Sequence, residues 1–508
     1  MKQKFSYHQT KKFTHLVNDY LSNSDDIHNF YNRYPSLENF SAQWEEKSNH
    51  KIDRKTLVEV LNDQNQALTL SPLTKYNINS LLKEDTFSVT TGHQLCLFTG
   101  PLYFVYKIIS TINLVEELKE KYPENNFVPV FWMASEDHDF YEVNHIHLFG
   151  KKIEWNSGQK GAVGRMSLEG VESVLYDLDK LLGAGENANH LSLLFRNAYL
   201  NHDNLADASR FLVNALFGKY GLVILDGDDI RLKKQFISII KKDVLFQGFF
   251  ETISKCTQDL AKEYKTQAFV RDINFFHLSD GGRKHLEGEV LESEIDSYPE
   301  NFSPNVLMRP LYQEMLLPNL AYVGGAAEVA YWMQLKTTFE QEQIPFPILV
   351  LRSSILWMEQ KQVNKWQNLG FDLADLFLDE HQLHQQYVGR HTNLNLTQEL
   401  TGLKKVFEQI LSKTTDKGLQ TSVLAEQQKQ LNSFEKLEKK LLKSEKKKHE
   451  DALNQITQLK AKLFPNNSLQ ERYDNFIPFY LKHGENFIEI LQKELSPLDA
   501  KFVILSPQ

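Results

Sequence analysis

Thr86-Phe-Ser-Val-Thr-Thr-Gly-His-Gln-Leu-Cys-Leu-Phe-Thr-Gly-Pro-Leu-Tyr103 decides the fold. Its first six residues, Thr86 to Thr91, alternate and are β-branched, which predicts a strand. Gly92 and Gly100 are expected to break that strand, and Pro101 suits the first position of a helix. Leu102, Val105, Ile109 and Ile112 then recur at helical spacing, Glu117 and Lys121 form a favourable i,i+4 pair, and Pro123 closes the helix. Phe127 to Ala134 is a second, largely apolar strand. Strand, helix and strand make a βαβ unit with parallel strands.

The pattern returns downstream. Gly221 to Leu225 reads as a short buried strand ending in Asp226-Gly-Asp-Asp229. Leu320 to Val323 runs into Gly324-Gly325 and a helical stretch, and Phe346 to Leu351 is another strand. Phe502 to Leu505 is expected to return to the same sheet. The fold class is therefore α/β, with a doubly wound core. We divide the chain into 1–150 (N-terminal helices and the first half of the core), 151–215 (first insertion), 216–235 (a core strand), 236–300 (second insertion), 301–375 (second half of the core), 376–490 (helical coiled coil) and 491–508 (return to the core). In the helical part, Leu400, Leu403, Phe407 and Ile410 fit one helix. Leu431, Phe434, Leu437 and Leu441 open a second, continued by Ala452, Ile456, Leu459 and Leu463. Lys443 to Asp451 between them reads as a solvated face, not a nucleic-acid patch.

Composition narrows the function. The 508 residues carry a net charge of -9, so no global positive field draws nucleic acid. Cys96 and Cys256 are the only cysteines, which argues against a disulfide scaffold and fits a reducing cytosol. The N-terminus has no apolar signal region, and no apolar run approaches the roughly 20 residues needed to span a bilayer. A soluble, cytoplasmic protein without a membrane or nucleic-acid partner is expected.

Two segments carry candidate chemistry. From Gly92 to Pro101, glycines and a helix start can admit an anion, with Thr99 and His93 adding polar groups. There is no Walker lysine and no GxGxxG, so a ligand loop and a plain βα turn both stand. Tyr103 and Lys107 share a face one turn into the helix; Lys107 either reaches an anion or is solvated. The second segment is Glu136-Asp-His-Asp139 at a strand's carboxyl end, where open α/β sheets bind ligands. Acid–base work needs a group titrating near neutrality, and His138 among carboxylates qualifies. The bland alternative is a polar loop capping the next helix. His138, His145 and His147 raise a metal option, but no HExxH or CxxC spacing supports it, and no metal is expected. Cys96 is either a nucleophile or, more commonly, buried packing. Arg309 either clamps a carboxylate or phosphate or makes a surface salt bridge. Asn305, Asp226 to Asp229, and Gly324-Gly325 with Glu328 complete the set.

Thr91-Gly-His-Gln with Leu-Phe-Thr-Gly-Pro-Leu-Tyr and Tyr-Lys107, Phe131-Trp with Glu136 to Asp139 and Glu142-Val-Asn-His145, Ser303 to Pro310, and Ala321 to Trp332 resemble, in order, the signature of the bacillithiol biosynthesis cysteine-adding enzymes. His93, Leu95-Cys96 and Ala326-Ala327 depart from the family pattern. The resemblance covers nearly the whole chain. It implies a Rossmann-like core, similar to nucleotidyltransferases and class I tRNA synthetases, with two connecting-peptide insertions and a C-terminal coiled coil pairing two subunits. It implies a ligase that adds L-cysteine to glucosaminyl-malate, the last step of bacillithiol synthesis, with ATP or another nucleotide as the expected activator. In that reading His138 or Glu136 is the base, with Asp137 and Asp139 beside them. Arg309 and Asn305 orient the malyl carboxylates. Gly92, His93, Gln94, Thr99, Gly100, Tyr103, Lys107, Asn144, His145, Gly324, Gly325, Glu328 and Tyr331 bind substrate or nucleotide. The alternatives are a nucleotidyl- or glycosyltransferase on the same fold, or a non-catalytic coiled-coil assembly protein.

Overall fold

Five parallel strands organise the chain in a computed structural model that describes residues 1–279, 282–286, 290–392 and 396–507, without the side chains of Thr397, Leu442 and Lys446. They are β1 (Thr86–Gln94), β2 (Asn126–Ala134), β3 (Val223–Asp226), β4 (Asn319–Gly324) and β5 (Ile348–Leu351). Their order across the sheet is 3-2-1-4-5. That order reverses between β1 and β4, and such a reversal opens a crevice at the strands' carboxyl ends.

The core follows from the strand period. Phe87 and Val89 on β1, Phe127 on β2, Leu320 and Val323 on β4 and Ile348 and Val350 on β5 bury together with Leu114, Val115 and Leu118 of helix α1 (Tyr103–Lys121). Buried polar side chains on the strands find partners, as they must. Thr90 donates to Asn319 Oδ1 at 2.8 Å, and Asn319 donates to Glu314 Oε1 at 2.7 Å. Glu314 also faces Lys47 Nζ at 3.5 Å, with both side chains 0% exposed.

Three expectations change. β1 does not break at Gly92 but runs two residues further, with Gly92 paired to Trp132 in ordinary extended backbone. The reversal is made by Phe98, Thr99 and Gly100, at φ of 49°, 69° and 67°. Helix α1 starts at Tyr103, after Pro101 rather than on it. Phe502–Leu505 is a strand, but it is not a member of the five-stranded sheet.

The chain divides into two compact units. Gln3–Leu356 with Gln470–Val503 contains the sheet and both long intervening segments. The first segment holds a hairpin (His145–Leu148 with Lys151–Glu154) and the helices Val171–Leu182, Glu186–Leu200 and Leu205–Phe217. The second is helical from Ile230 to Leu260 and then forms a three-stranded antiparallel sheet with Phe302–Pro304. The helices Ile477–His483 and Asn486–Glu494 also belong to this unit.

The other unit, Met1–Lys2 with Trp357–Leu469 and Ile504 onward, is mainly helical. Its long helices are α2 (Thr397–Leu411), α3 (Lys417–Lys448) and α4 (Glu450–Leu463). The expected continuous second helix is interrupted at His449, whose φ of -108° and ψ of 16° leave helical geometry. Leu453, Ile456, Leu459 and Leu463 are buried inside the unit, beside the helix Glu380–His391 that meets Thr457 through Glu380 and His384. That half of the apolar seam is therefore already used within the chain. Val406, Ile410, Leu419, Leu424 and Leu437 are exposed. The Lys446 side chain of the lysine-rich stretch lies outside the described residues. Among the described residues no helix is long and apolar enough to cross a membrane.

The Lys47–Glu314 pair gives a test of the core. Removing one partner strands a buried charge, so Lys47→Met is expected to cost roughly 3–5 kcal/mol in denaturant unfolding. Lys47→Met with Glu314→Gln, which removes both charges, is expected to recover much of that loss.

Candidate active site

The crevice between β1 and β4 holds a cavity of about 340 Å³. Gly92, His93 and Gln94 from the end of β1 line it, with Tyr103 and Lys107 from α1, Gly325 and Glu328 from the turn after β4, and Asp137, Asn305, Arg309, Tyr322, Tyr331, Arg352 and Arg472. The two sequence blocks around Gly92 and Gly324 thus meet at one place. Gly92 matters for what it lacks: a Cβ there would stand 3.4 Å from Tyr322 Oη and 3.6 Å from Arg309 Nη1, so any larger side chain would enter this space.

Lys107 and Glu328 form its centre. The buried Lys107 ammonium donates to the Gly92 carbonyl and lies 2.7 Å from Glu328 Oε2. Glu328 also accepts from Tyr322 Oη at 2.6 Å and from the Gly325 N–H at 2.7 Å. Burial alone would raise the carboxyl's pKa, but Lys107, Tyr322 and the Gly325 N–H outweigh it and hold it down at about 2. Lys107 is therefore not a solvated face residue, and Glu328 is an ionised carboxylate with its partners fixed.

The cations divide into paired and unpaired. Lys107 is balanced by Glu328, Arg283 by Asp137 at 3.2 Å, and Arg352 by Glu471 at 2.8 Å. Arg309 instead donates to neutral groups, Gln313 Oε1 at 2.9 Å and Tyr331 Oη at 3.3 Å, and packs over the Tyr322 and Trp332 rings at 5.3 and 5.9 Å. Arg472 lines the cavity from an exposed position. Neither makes an ion pair among the described residues. Two uncompensated guanidinium groups facing one cavity suit a dianionic ligand.

The four ionisable residues after β2 do not act as one cluster. Glu136 Oε2 is 2.6 Å from Lys233 Nζ, a fully buried ammonium that also donates to the Phe302 carbonyl, and it does not line the cavity. Asp137 does line it. His138 and Asp139 line a neighbouring cavity instead. Arg283 Nη1 lies 3.2 Å from both Asp137 Oδ1 and His138 Nδ1. A guanidinium can only donate, so His138 Nδ1 is an unprotonated acceptor there and the ring's proton sits on Nε2, 3.8 Å from Asp139 Oδ1. His138 Nδ1 is thereby engaged, and the ring lines the neighbouring cavity rather than this one. Asp137 is the carboxylate available in the cavity.

The turn after β1 offers a phosphate few free donors. Four of its N–H groups are already used: Cys96 donates to Gln94 O, Gly100 to Leu97 O, Leu102 to Asp474 O, and Phe98 to Tyr199 Oη. Asn475 holds the carbonyls of Phe98 and Gly100. Thr99 and Gly100 stand outside the cavity lining, contrary to the ligand-loop reading. Burial raises the Cys96 thiol to about 12, so it packs and does not act as a nucleophile.

Asn305 lines the cavity, but its amide accepts from Leu307 and Met308 N–H at 2.8 and 3.1 Å and donates to Asn274 at 3.0 Å. Its carbonyl oxygen thereby holds the backbone at the start of the helix that carries Arg309 (Met308–Leu316). Asn144 and His145 bond to one another and to the hairpin, away from this cavity. Gly324 completes β4, and Gln94 reaches Glu142 at 3.4 Å. Asp226 bonds Ser135 and Asp228 behind the site; burial and the Asp228 charge raise it to about 6. Sequence reasoning missed Arg352, Arg472, Arg283 and Tyr322. The last lies inside a quoted block, where its placement beside Gly-Gly-Ala-Ala-Glu328 was the available signal.

Comparison with known proteins covers the whole chain. Residues 1–353 match the family model "Bacillithiol biosynthesis BshC, N-terminal Rossmann-like domain", and residues 355–507 match "Bacillithiol biosynthesis BshC, C-terminal coiled-coil domain". A protein of Christiangramia forsetii named "Putative cysteine ligase BshC" is 45% identical over 99% of this chain and 98% of its own. Proteins with the same name from Flavobacterium johnsoniae and Bacillus cytotoxicus are 44% and 27% identical, over 99% and 94% of this chain and 99% and 95% of theirs.

Glu328 sets a pH dependence. Its folded pKa of about 2 lies below the ordinary 4.5, so its contribution is full above pH 4.5 and is lost as pH falls toward 2. Denaturant titrations are expected to show wild type losing on the order of 3 kcal/mol across that window relative to Glu328→Gln.

Proposed function

The chain belongs to the BshC family of bacillithiol biosynthesis and is a carbon–nitrogen bond-forming cysteine ligase, and on that premise we propose that it joins the carboxyl of L-cysteine to the amino group of glucosaminyl-malate in the β1–β4 crevice. The observation that carries this is the pair of uncompensated cations, Arg309 and Arg472, in one cavity. Glucosaminyl-malate presents two carboxylates on its malyl group, and each finds a guanidinium. A nucleotidyltransferase, a glycosyltransferase or a scaffold protein gains no support from these residues.

The chemistry assigned to the chain's own groups is limited. The sugar amine gives up a proton as its nitrogen bonds to the cysteine carboxyl carbon, and the C–O bond to the activated oxygen breaks, that oxygen leaving on the phosphoryl group that a nucleotide would supply. Asp137 takes the proton; its partner Arg283 keeps the carboxylate oriented. ATP or another nucleotide remains part of the proposal as the activator of the carboxyl. The turn at 96–102 is not given its phosphates, because four of the six N–H groups there are spent, and no step is assigned to it.

We place the protein in the cytoplasm, in keeping with two buried free thiols, as a homodimer. The dimer would form through the apolar residues left exposed on α2 and α3, Val406, Leu419, Leu424 and Leu437 among them, rather than through α4.

Product mass spectrometry with L-cysteine, glucosaminyl-malate and ATP tests the activity; no cysteinyl product would refute it. Arg309→Ala and Arg472→Ala are each expected to raise KM for glucosaminyl-malate about 10- to 100-fold. Asp137→Asn is expected to lower kcat about 100-fold or more with a smaller effect on KM. In sedimentation velocity, Leu424→Glu with Leu437→Glu is expected to yield a monomer, and an unchanged dimer would contradict the assigned surface.

A further inference from the structure

One wall of the cavity carries polar atoms that neither the two carboxylates nor Asp137 engages. Arg352 is 4% exposed and lines it. Its Nη1 donates to Ser353 O at 3.0 Å and Ser354 Oγ at 3.1 Å, and its Nη2 donates to Glu471 at 2.8 Å. Its Nε–H is buried and has no partner. His93 lines the same cavity, and its Nε2 is likewise buried without a partner. Tyr103 lies between them, its ring centroid 5.2 Å from the His93 ring and 5.3 Å from the Arg352 guanidinium. Unpaired buried polar atoms are rare, and two beside one aromatic ring in one cavity require an explanation.

The charge of this wall restricts what fits. Glu471 balances Arg352. Burial and the nearby Lys107 keep His93 neutral, with a pKa of about 3. The wall therefore offers a donor in Arg352 Nε–H and an acceptor in the imidazole, with no net charge. A ligand carrying both signs on adjacent atoms matches it, whereas a dianion suits Arg309 and Arg472. Gly325 keeps the approach open: a Cβ there would come within 3.9 Å of Arg352 Nε.

We infer that His93, Tyr103 and Arg352 form the L-cysteine subsite, in which a carboxyl oxygen accepts from Arg352 Nε–H and the amino group donates to the His93 imidazole. Tyr103 packs between the two contacts. This rests on the ligase reading, and it adds the division of one cavity into an amino-acid end and a dicarboxylate end.

Calorimetric titration of the full-length protein separates the two. L-cysteine is titrated with glucosaminyl-malate present and absent, on wild type, Arg352→Lys and His93→Phe. Arg352→Lys keeps the charge but loses the Nε–H and the planar fork. His93→Phe keeps the ring stack and removes a buried unpaired nitrogen. Both are expected to weaken L-cysteine binding at least 10-fold and to leave glucosaminyl-malate within 2-fold. His93→Phe is also expected to melt no lower than wild type, which a purely structural histidine would not allow. Unchanged L-cysteine affinity in His93→Phe, equal loss of both ligands, or loss of ATP binding in place of L-cysteine overturns the inference. So does a wild type that binds no L-cysteine in either condition. If wild type forms the product and His93→Phe still binds L-cysteine normally, only the subsite falls. If the variants lose L-cysteine but wild type never binds glucosaminyl-malate, the subsite stands and the ligase reading falls.

Discussion

The buried Lys107 ammonium is the interaction on which the crevice depends. An ammonium taken out of water is costly unless paired and hydrogen-bonded. Here the Gly92 carbonyl and the Glu328 carboxylate meet that need, and each belongs to a different side of the reversal in strand order. Glu328 is itself satisfied by Tyr322 and the Gly325 N–H. The network thus ties the end of β1, helix α1 and the turn after β4 to one point. It also decides the charge of the cavity. With Glu328 committed to Lys107, Arg309 keeps its charge for a ligand. Without Lys107, Glu328, whose charge already acts on Arg309, would be an anion for Arg309 to neutralise.

A second constraint comes from far along the chain. Glu471 holds Arg352, Arg472 faces the cavity, the Asp474 carbonyl takes the Leu102 N–H, and Asn475 fixes the Phe98 and Gly100 carbonyls. Phe98 and Thr99 sit at positive φ, which is unfavourable for both and needs outside support. Residues 470–475 supply it. The same short segment therefore holds the turn that starts α1 and contributes one of the two unpaired cations.

Much of the fold was legible because it is periodic. Six strands and helix α1 follow from β-branched runs and helical spacing, and five of the six join one parallel sheet. Phe502–Leu505 has the same composition, and local pattern does not say which sheet a strand joins. Gly92 was read as a breaker, but its role is to leave room beside Tyr322 and Arg309, a packing fact with no local signature. In the site, Gly92, Lys107 and Glu328 were found because they flank glycine turns, and Arg309 because a guanidinium can clamp a carboxylate. Arg352 and Arg472 were not, because neither lies in a recognisable turn and each acts through a long-range contact. Glu136 to Asp139 looked like one reactive cluster. Successive side chains in that loop diverge, so Glu136 turns to Lys233, Asp137 to the cavity and His138 to its neighbour.

The central claim is that the β1–β4 crevice receives the dicarboxylate end of glucosaminyl-malate. A crystal structure of the protein with that compound bound tests it most directly. The account predicts the malyl carboxylates within hydrogen-bonding distance of Arg309 and Arg472, with the sugar amine toward Asp137. Density for the compound in the neighbouring His138 cavity, or with its carboxylates away from both arginines, would contradict it.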